Sequence, residues 1–360
     1  MVLEGVIPYT SGRPLVWAVK CGHEAAVKLL LERGNVNPNT TDGLGGTPLF
    51  IAAMVGHEGM VKMLLERGDV NPNTSDYWGE TPLLIAACNG YEGVVKLLLE
   101  REDVNLNTAD PGGETPLSRA AFNGHKGIVK LLLEREDVDP NAADDCGRTP
   151  LFRAARNGHE GVVKLLERED VNPNVADNCG RTPLSRAAGR GHEGIVKMLL
   201  ERNDISPNPV RGCAEAALES AAYNGRENVV KLLLERNDIN ADSTDEHGRT
   251  PLLIAAWYGH EGVVKMLLER EDVNPNAADD CGVTPLLRAA YRGHEGVVKM
   301  LLARAGVNSD MANLIEKASL SHAQKCRLHA IAGLLSEHKS LIPPLDGAEF
   351  TALSHPSRQI

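Results

Sequence analysis

The sequence predicts an all-α fold in which short helices stack in pairs. One phrase recurs nine times with small variations; it contains Gly-x-Thr-Pro-Leu, Ala-Ala and Gly-His, and it ends in Val-Val-Lys-Leu-Leu-Leu-Glu-Arg. Self-similarity at a fixed period is typical of repeat architectures. The chain has 360 residues but only 4 Phe, 6 Tyr and 3 Trp, so Leu, Val and Ala must form most of the buried core.

The repeat keeps its register along almost the whole chain. Its proline, replaced by alanine in the seventh copy, recurs every 34 residues, with a single spacing of 33 between the fifth and sixth copies. Each copy is therefore one structural unit that stacks on its neighbours. The marker positions are Pro14, Pro48, Pro82, Pro116, Pro150, Pro183, Ala217, Pro251 and Pro285.

Each repeat contains a short first helix according to its sequence. In the third copy Thr81 precedes Pro82, and proline is tolerated at the first helical position because its missing N–H would have no partner within the helix. The helix continues from Leu83 to about Ala87 or Asn89. Gly90 ends it, since glycine readily adopts the positive φ angle found after many helix C-termini.

The same copy predicts a second helix that begins near Tyr91. Val94, Val95 and the run Leu97–Leu99 give this helix an apolar face wide enough to contact two neighbours. Neither helix is long enough to be stable alone, so stacking must bury the core. A segment such as residues 69–79 then connects to the next repeat through a turn or hairpin that contains glycine.

These residues resemble the ankyrin repeat, which combines a turn with two antiparallel helices and carries Thr-Pro-Leu-His-x-Ala near its start. The resemblance covers about residues 12–308 and implies an all-α solenoid of about nine 34-residue repeats. Two features depart from the family: the period is one residue longer than usual, and the histidine of the motif is absent from every copy. The segment Arg181–Ala188 also looks like the long ankyrin arrays of filamentous fungi.

The repeats divide the chain into four expected regions. Residues 1–46 form an N-terminal capping repeat with the first connector, and residues 47–308 form eight repeats. Residues 309–339 keep apolar spacing without the motif, which predicts degenerate C-terminal capping helices. Residues 340–360 are rich in proline and are expected to form a disordered tail.

Charge and cysteine content indicate which cellular compartment and which classes of partner to expect. The net charge of −11 argues against general nucleic-acid binding, and no apolar run is long enough to span a membrane. Seven cysteines without a C-x-x-C pair favour a reducing compartment over a disulfide framework. We expect the cytoplasm, with the nucleus left open, and a monomer, although the sequence does not determine the oligomeric state.

Catalytic and metal-binding motifs are missing from the sequence. It contains neither a P-loop, a dinucleotide-binding glycine motif, a zinc-protease helix motif nor a nucleophile elbow. The recurring Gly-His pairs lie one repeat apart, roughly 10 Å, which is too far for shared zinc ligands at about 2.0 to 2.3 Å. We therefore expect no cofactor and no metal, and we interpret these histidines as starts of the second helices.

Positions that vary between copies are the candidate binding residues. They cluster in the hairpin and at the end of the first helix, which the resemblance places on the concave binding face. Planar guanidinium groups suit carboxylate or phosphate ligands, although Asp144, Asp145 and Asp177 occupy the same hairpins and could instead pair with them. The fifth and sixth copies place six arginines there, namely Arg148, Arg153, Arg156, Arg181, Arg186 and Arg190.

Aromatic residues occupy the same kinds of position. Tyr, Trp and Arg are frequent anchors of protein interfaces, whereas the core positions here contain Leu, Val and Ala. We therefore interpret these residues as contact candidates and add two arginines of the ninth copy. The set is Tyr77, Trp78, Phe122, Tyr223, Trp257, Tyr258, Arg288, Tyr291 and Arg292.

The favoured function is a non-enzymatic scaffold that binds a protein or an extended peptide, with an acidic partner as one option. The alternative is a small-molecule enzyme or an accessory protein of a fungal biosynthetic pathway. Its pocket would lie near repeats six and seven, around Arg190, Glu215, Glu219 and Tyr223. A deep cavity with converging polar groups would favour the alternative, and a shallow groove would favour the scaffold.

Overall fold

The computed structural model describes residues 14–33, 36–207, 217–308 and 329, and in these ranges it contains α-helices and no β-strand, which confirms the predicted fold class. The 18 helices are α1 Pro14–Lys20, α2 Glu24–Leu31, α3 Pro48–Val55, α4 Glu58–Leu65, α5 Pro82–Asn89, α6 Glu92–Leu99, α7 Pro116–Asn123, α8 Lys126–Leu133, α9 Pro150–Asn157, α10 Glu160–Leu165, α11 Pro183–Arg190, α12 Glu193–Glu201, α13 Ala217–Tyr223, α14 Glu227–Leu234, α15 Pro251–Tyr258, α16 Glu261–Leu268, α17 Pro285–Arg292 and α18 Glu295–Ala303.

The chain divides into two units, Met1–Asp245 with α1 to α14 and Glu246–Ile360 with α15 to α18. In each unit the first helix of a repeat packs against the first helix of the next, and second helices pack against second helices. Each unit is thus a stack with two helical layers. Apart from residue 329, the predicted capping helices of residues 309–339 and the predicted tail of residues 340–360 lie outside the described residues.

The first helices begin and end for local reasons. In α3 the Thr47 side chain accepts a hydrogen bond from the Phe50 backbone N–H at 3.2 Å, and Pro48 occupies the first turn. Gly56 follows the helix with φ at 81°, a left-handed conformation that a residue without Cβ adopts without strain. The predicted threonine start and glycine end are therefore confirmed for this helix.

The core consists of small and aliphatic side chains. In the third repeat Leu83, Ala86, Ala87 and Val94 are fully buried. The small alanines allow neighbouring first helices to approach closely. Among the described residues the buried aromatic side chains are those of Phe50 and Phe152, while Tyr and Trp lie in more exposed positions.

An asparagine ladder, which the sequence alone did not reveal, ties successive connections together. The Asn73 amide donates to the Asp103 carbonyl at 2.7 Å, and its side-chain oxygen accepts from the Asn105 backbone N–H at 2.7 Å. One side chain thus satisfies two backbone groups of the next repeat. The same pair of bonds is made by Asn39, Asn107, Asn141, Asn174 and Asn276.

The histidines precede the second helices, as predicted, and several also contact the preceding repeat. His159 Nε2 lies 2.9 Å from the Phe122 carbonyl oxygen, and His192 Nε2 lies 3.1 Å from that of Arg156. In the seventh repeat Arg226 replaces the histidine, and its Nε donates to the Gly189 carbonyl at 3.2 Å. The replacement of histidine by arginine therefore preserves the hydrogen bond to a carbonyl group of the preceding repeat.

Candidate functional site

An aspartate organises the hairpin that leads into the fifth repeat. One oxygen of Asp144 accepts the backbone N–H groups of Cys146 and Arg148, each at 2.9 Å. Its other oxygen accepts from Arg148 Nε at 2.7 Å and contacts the Arg153 guanidinium. Burial opposes ionisation of Asp144, but the hydrogen bonds from the Arg148 backbone and from Arg153 prevail and lower its pKa.

Arg153 lies inside the stack. Its side chain is only 4% exposed and is held between Asp144 and Glu114, which belongs to the preceding hairpin. Its guanidinium also lies over the Phe122 ring, 5.4 Å from the ring centroid. The structure therefore gives Arg153 a structural role beneath the surface. In the next repeat Arg181 pairs with Asp177 at 2.6 Å.

Arg156 has different surroundings from Arg153, although the two are three residues apart on α9. Its side chain is half-buried, and within the described ranges its Nε has no hydrogen-bond partner. Burial lowers its pKa, and the neighbouring positive charges lower it further. Those charges belong to other members of a group that we call the arginine cluster: Arg148, Arg156, Arg181, Arg186 and Arg190.

The cluster is formed by neighbouring repeats. Arg156 lies near the end of α9, while Arg186 and Arg190 lie on α11, which packs against α9. Arg186 is half-buried and Arg190 is exposed. The structure thus brings together five of the six arginines that the sequence singled out in these two repeats.

The aromatic candidates of the first unit lie at the surface. Tyr77 and Trp78, in the hairpin before α5, are 75% and 58% exposed. Phe122 at the end of α7 and Tyr223 at the end of α13 are also exposed. Leu44, in the preceding hairpin, is exposed as well. The sequence does not single it out, because leucine fills core positions elsewhere in the repeats.

A group of acidic residues that the sequence did not single out lies on the hairpins of the third and fourth repeats. Its members are Asp76, Glu80, Asp110 and Glu114. Arg119 pairs there with Asp110 at 2.6 Å and approaches Glu80 at 3.9 Å. The pKa of Glu80 is raised because the carboxyl is partly buried and because Asp76 and Asp110 repel its charged form, although Arg119 opposes the shift. Charge on these hairpins therefore changes from acidic to basic along the first unit.

In the second unit, Trp257 is surrounded by arginines. The Arg288 guanidinium lies 3.9 Å from the centroid of the indole ring, and those of Arg292 and Arg249 lie 5.5 and 5.7 Å away. Arg288 also pairs with Asp279 at 2.7 Å. Such stacking is favourable because the π face of tryptophan attracts a cation.

Two tyrosines complete the candidates of this unit. The ring centroid of Tyr258, which is exposed, lies 6.0 Å from that of Trp257 in a stacked arrangement. Tyr291, on α17, is half-buried.

The structure describes three of the four residues that the sequence suggested for a pocket in repeats six and seven. Glu219 is buried and accepts a hydrogen bond from the Ser243 hydroxyl at 3.1 Å. Arg190 and Tyr223 are exposed, whereas Glu215 lies outside the described residues.

Two properties of the described ranges bear on cofactors and membranes. No three His, Cys, Asp or Glu side chains converge there in an arrangement that could hold a metal ion. None of the helices in those ranges combines the length and apolar character needed to cross a membrane.

Stacked helix pairs joined by hairpins, with charged and aromatic side chains at the hairpin edge, define a class of helical-repeat proteins. The family model described as ankyrin repeats (3 copies) matches residues 8–76, 68–144, 136–211 and 206–279, and the model described as ankyrin repeats (many copies) matches residues 258–302. The chain belongs to the ankyrin-repeat family. Members of this family generally mediate protein–protein interactions, and the fold is typically a non-catalytic module.

Solved structures agree with this assignment. The crystal structure of EF0377, an ankyrin repeat protein, is 30% identical with a TM-score of 0.51, and the match covers 53% of this chain and 98% of that one. The ankyrin repeat domain of Bcl-3, described as a unique member of the IkappaB protein family, is 27% identical with a TM-score of 0.55; this match covers 62% and 99% of the two chains. No curated protein matched the chain.

Proposed function

We propose that the chain is a non-enzymatic scaffold that binds an extended, acidic segment of a partner protein. The binding face would be formed by the hairpins and by the ends of the first helices, the face that is concave in the ankyrin family. One observation carries the proposal: Arg156 is half-buried among positive charges, and its Nε has no acceptor within the described ranges. An acidic ligand would supply the missing negative charge.

The candidate arginines have two different roles in this proposal. Arg148, Arg153 and Arg181 are held by aspartates and would shape the surface. Arg156 and Arg190 would contact the ligand directly, because neither forms an ion pair with a described residue. A preformed surface of this kind loses little conformational freedom on binding, which favours specific recognition.

Aromatic side chains would add apolar contacts to the charged ones. In the first unit these contacts would come from Tyr77, Trp78, Phe122 and Tyr223, which are exposed. In the second unit they would come from Trp257, Tyr258 and Tyr291, with Arg288 and Arg292 beside them. Exposed aromatic and arginine side chains often carry much of the binding energy of an interface.

We place this scaffold in the cytoplasm. Cys21, Cys146, Cys179 and Cys281 are exposed free thiols. A reducing compartment keeps such thiols from oxidation.

Co-purification with a charge-reversal variant tests the proposed function. The chain and an Arg156→Glu/Arg190→Glu variant would each be used to recover partners from native cytosol, followed by quantitative mass spectrometry. The matched control is Lys130→Glu/Lys197→Glu, which makes the same charge change on exposed positions of α8 and α12. We expect a partner that the arginine variant loses and the lysine variant retains. Equal recovery by the two folded variants would contradict the proposal.

A further inference from the structure

The carboxylates next to the arginine cluster are already engaged. Asp144 binds Arg148 and Arg153, and Asp177 binds Arg181. The second partner of Arg153 is Glu114, so this carboxylate is also occupied. None of these acids forms an ion pair with Arg156.

The available guanidiniums come from two adjacent helices. Arg156 is the seventh residue of α9 and Arg190 is the last residue of α11, and these two helices pack side by side. Arg186 and Arg190 both lower the pKa of Arg156, after burial and with Arg186 the larger of the two, so positive charges on α11 act on Arg156. A ligand that satisfied both would have to present several acceptor oxygens at one point.

The register of the repeats also leaves a position between them without a side chain. Gly189 in α11 corresponds to Arg156 in α9 and to Tyr223 in α13. The exposed Tyr223 and the half-buried Arg156 are thus separated, along this row of equivalent positions, by a glycine. The Ser220 hydroxyl and the Asn224 amide fill the space beside Gly189, so this part of the surface offers a ligand the two cationic donors of α9 and α11.

A phosphate monoester suits this arrangement better than a single carboxylate does. It carries about −1.5 to −2 charges at neutral pH and offers three acceptor oxygens, whereas one carboxylate carries a single charge. Its oxygens can accept from two guanidiniums at the same time, and such charge-assisted hydrogen bonds are among the stronger ones.

We propose that Arg156 and Arg190 form a receptor for a phosphorylated serine or threonine in the partner segment. This inference rests on the proposed function and names the chemical class of the ligand. Phe122, one repeat away, is exposed and would contact an apolar residue of the same segment. Packed helices lie about 8–10 Å apart and an extended chain advances about 3.3 Å per residue, so that residue would lie about three positions from the phosphorylated one.

Binding of synthetic peptides tests this inference. The probe is a library of nine-residue peptides with a central phosphoserine or phosphothreonine, used with two matched libraries that carry serine or glutamate at the centre. The dissociation constants of the strongest binders are measured by fluorescence anisotropy for the full chain. We expect the phosphorylated form to bind at least tenfold more tightly than either matched peptide, and an apolar residue three positions away to be selected.

Variants locate the receptor. Arg156→Gln/Arg190→Gln is expected to weaken phosphopeptide binding at least tenfold, while Lys130→Gln/Lys197→Gln, with the same charge change on α8 and α12, leaves it within twofold. Arg190→Gln alone changes an exposed residue and is expected to weaken binding while the fold is retained. Circular dichroism verifies folding of each variant. Phosphopeptide binding that these arginine substitutions leave unchanged would overturn the inference.

The outcomes separate this inference from the proposed function. If glutamate peptides bind as tightly as the phosphorylated ones and lose affinity in the arginine variant, the phosphate receptor is wrong and the acidic scaffold is retained. If serine peptides also bind as tightly, the acidic scaffold is wrong as well. If no peptide of any library depends on these arginines and the co-purification is equally insensitive to them, both proposals are wrong.

Discussion

Arg153 and Asp144 form an ion pair inside the stack of repeats, where both residues are buried. The same aspartate accepts two backbone N–H groups of its hairpin, while Arg153 also reaches Glu114 in the preceding repeat. One carboxylate therefore links the shape of a hairpin to the packing between repeats. This relationship separates a structural arginine from the arginines that are available to a ligand.

Removal of this carboxylate should destabilise the fifth repeat. Asp144→Ala leaves Arg153 with only part of its compensating charge and leaves two backbone donors without their acceptor. Loss of one partner of a buried ion pair typically costs on the order of 3 kcal/mol, and we expect an effect of this size in urea unfolding. Asp145→Ala, on the exposed neighbouring residue, is the control and should change the free energy of unfolding much less. Equal effects of the two substitutions would show that the ion pair is unimportant.

The lowered pKa of Asp144 predicts a specific pH dependence. A carboxyl whose pKa is lower in the folded state than its ordinary value of 3.8 stabilises the fold above that value. This contribution is lost as the pH falls through the folded-state pKa. The difference in melting temperature between the native chain and Asp144→Asn should therefore be largest near neutral pH and should shrink below about pH 4. A difference that stays constant from pH 7 to pH 2.5 would contradict this assignment.

The asparagine ladder predicts that a nearly isosteric change is harmful. In Asn107→Asp the amide that donates to the Asp137 carbonyl at 2.6 Å becomes an acceptor, while the bond from the Asp139 backbone N–H is kept. We expect a loss of about 1–3 kcal/mol, because an acceptor would then face an acceptor. Amide hydrogen exchange would show faster exchange in residues 137–141. Glu102→Gln, an exposed change on a neighbouring connection, should not accelerate exchange there.

The close contact of α11 with α13 depends on Gly189. A Cβ atom added at this position would collide with the Ser220 hydroxyl oxygen, whereas Ser220 Cβ lies 3.4 Å away. Overpacking in Gly189→Ala is therefore expected to cost about 1–3 kcal/mol, offset in part by the better helix propensity of alanine, which contributes about 1 kcal/mol. The double variant with Ser220→Ala should recover most of this loss, relative to Ser220→Ala alone. Thermal denaturation of the four chains measures the coupling, and strictly additive effects would exclude a direct clash.

Local sequence was sufficient to predict the helices. Thr47, Pro48 and Gly56 determine where α3 begins and ends through contacts within a few residues of each other. Their recurrence every 34 residues predicted the stacked architecture, since neither helix of a repeat can be stable alone. The roles of the histidines were predicted only in part, because their bonds reach carbonyl groups of the preceding repeat.

The sequence by itself thus determined the repeat, the helix boundaries and the set of arginines at the hairpin edge, because these features depend on spacing and local conformation. Only the tertiary structure decided that Arg153 is buried against Glu114 and Asp144 while Arg156 lies among other arginines. The physical reason is that the charge environment of a side chain is set by neighbours from adjacent repeats. Glu114 is 39 residues from Arg153 in the sequence, and no local pattern records their contact.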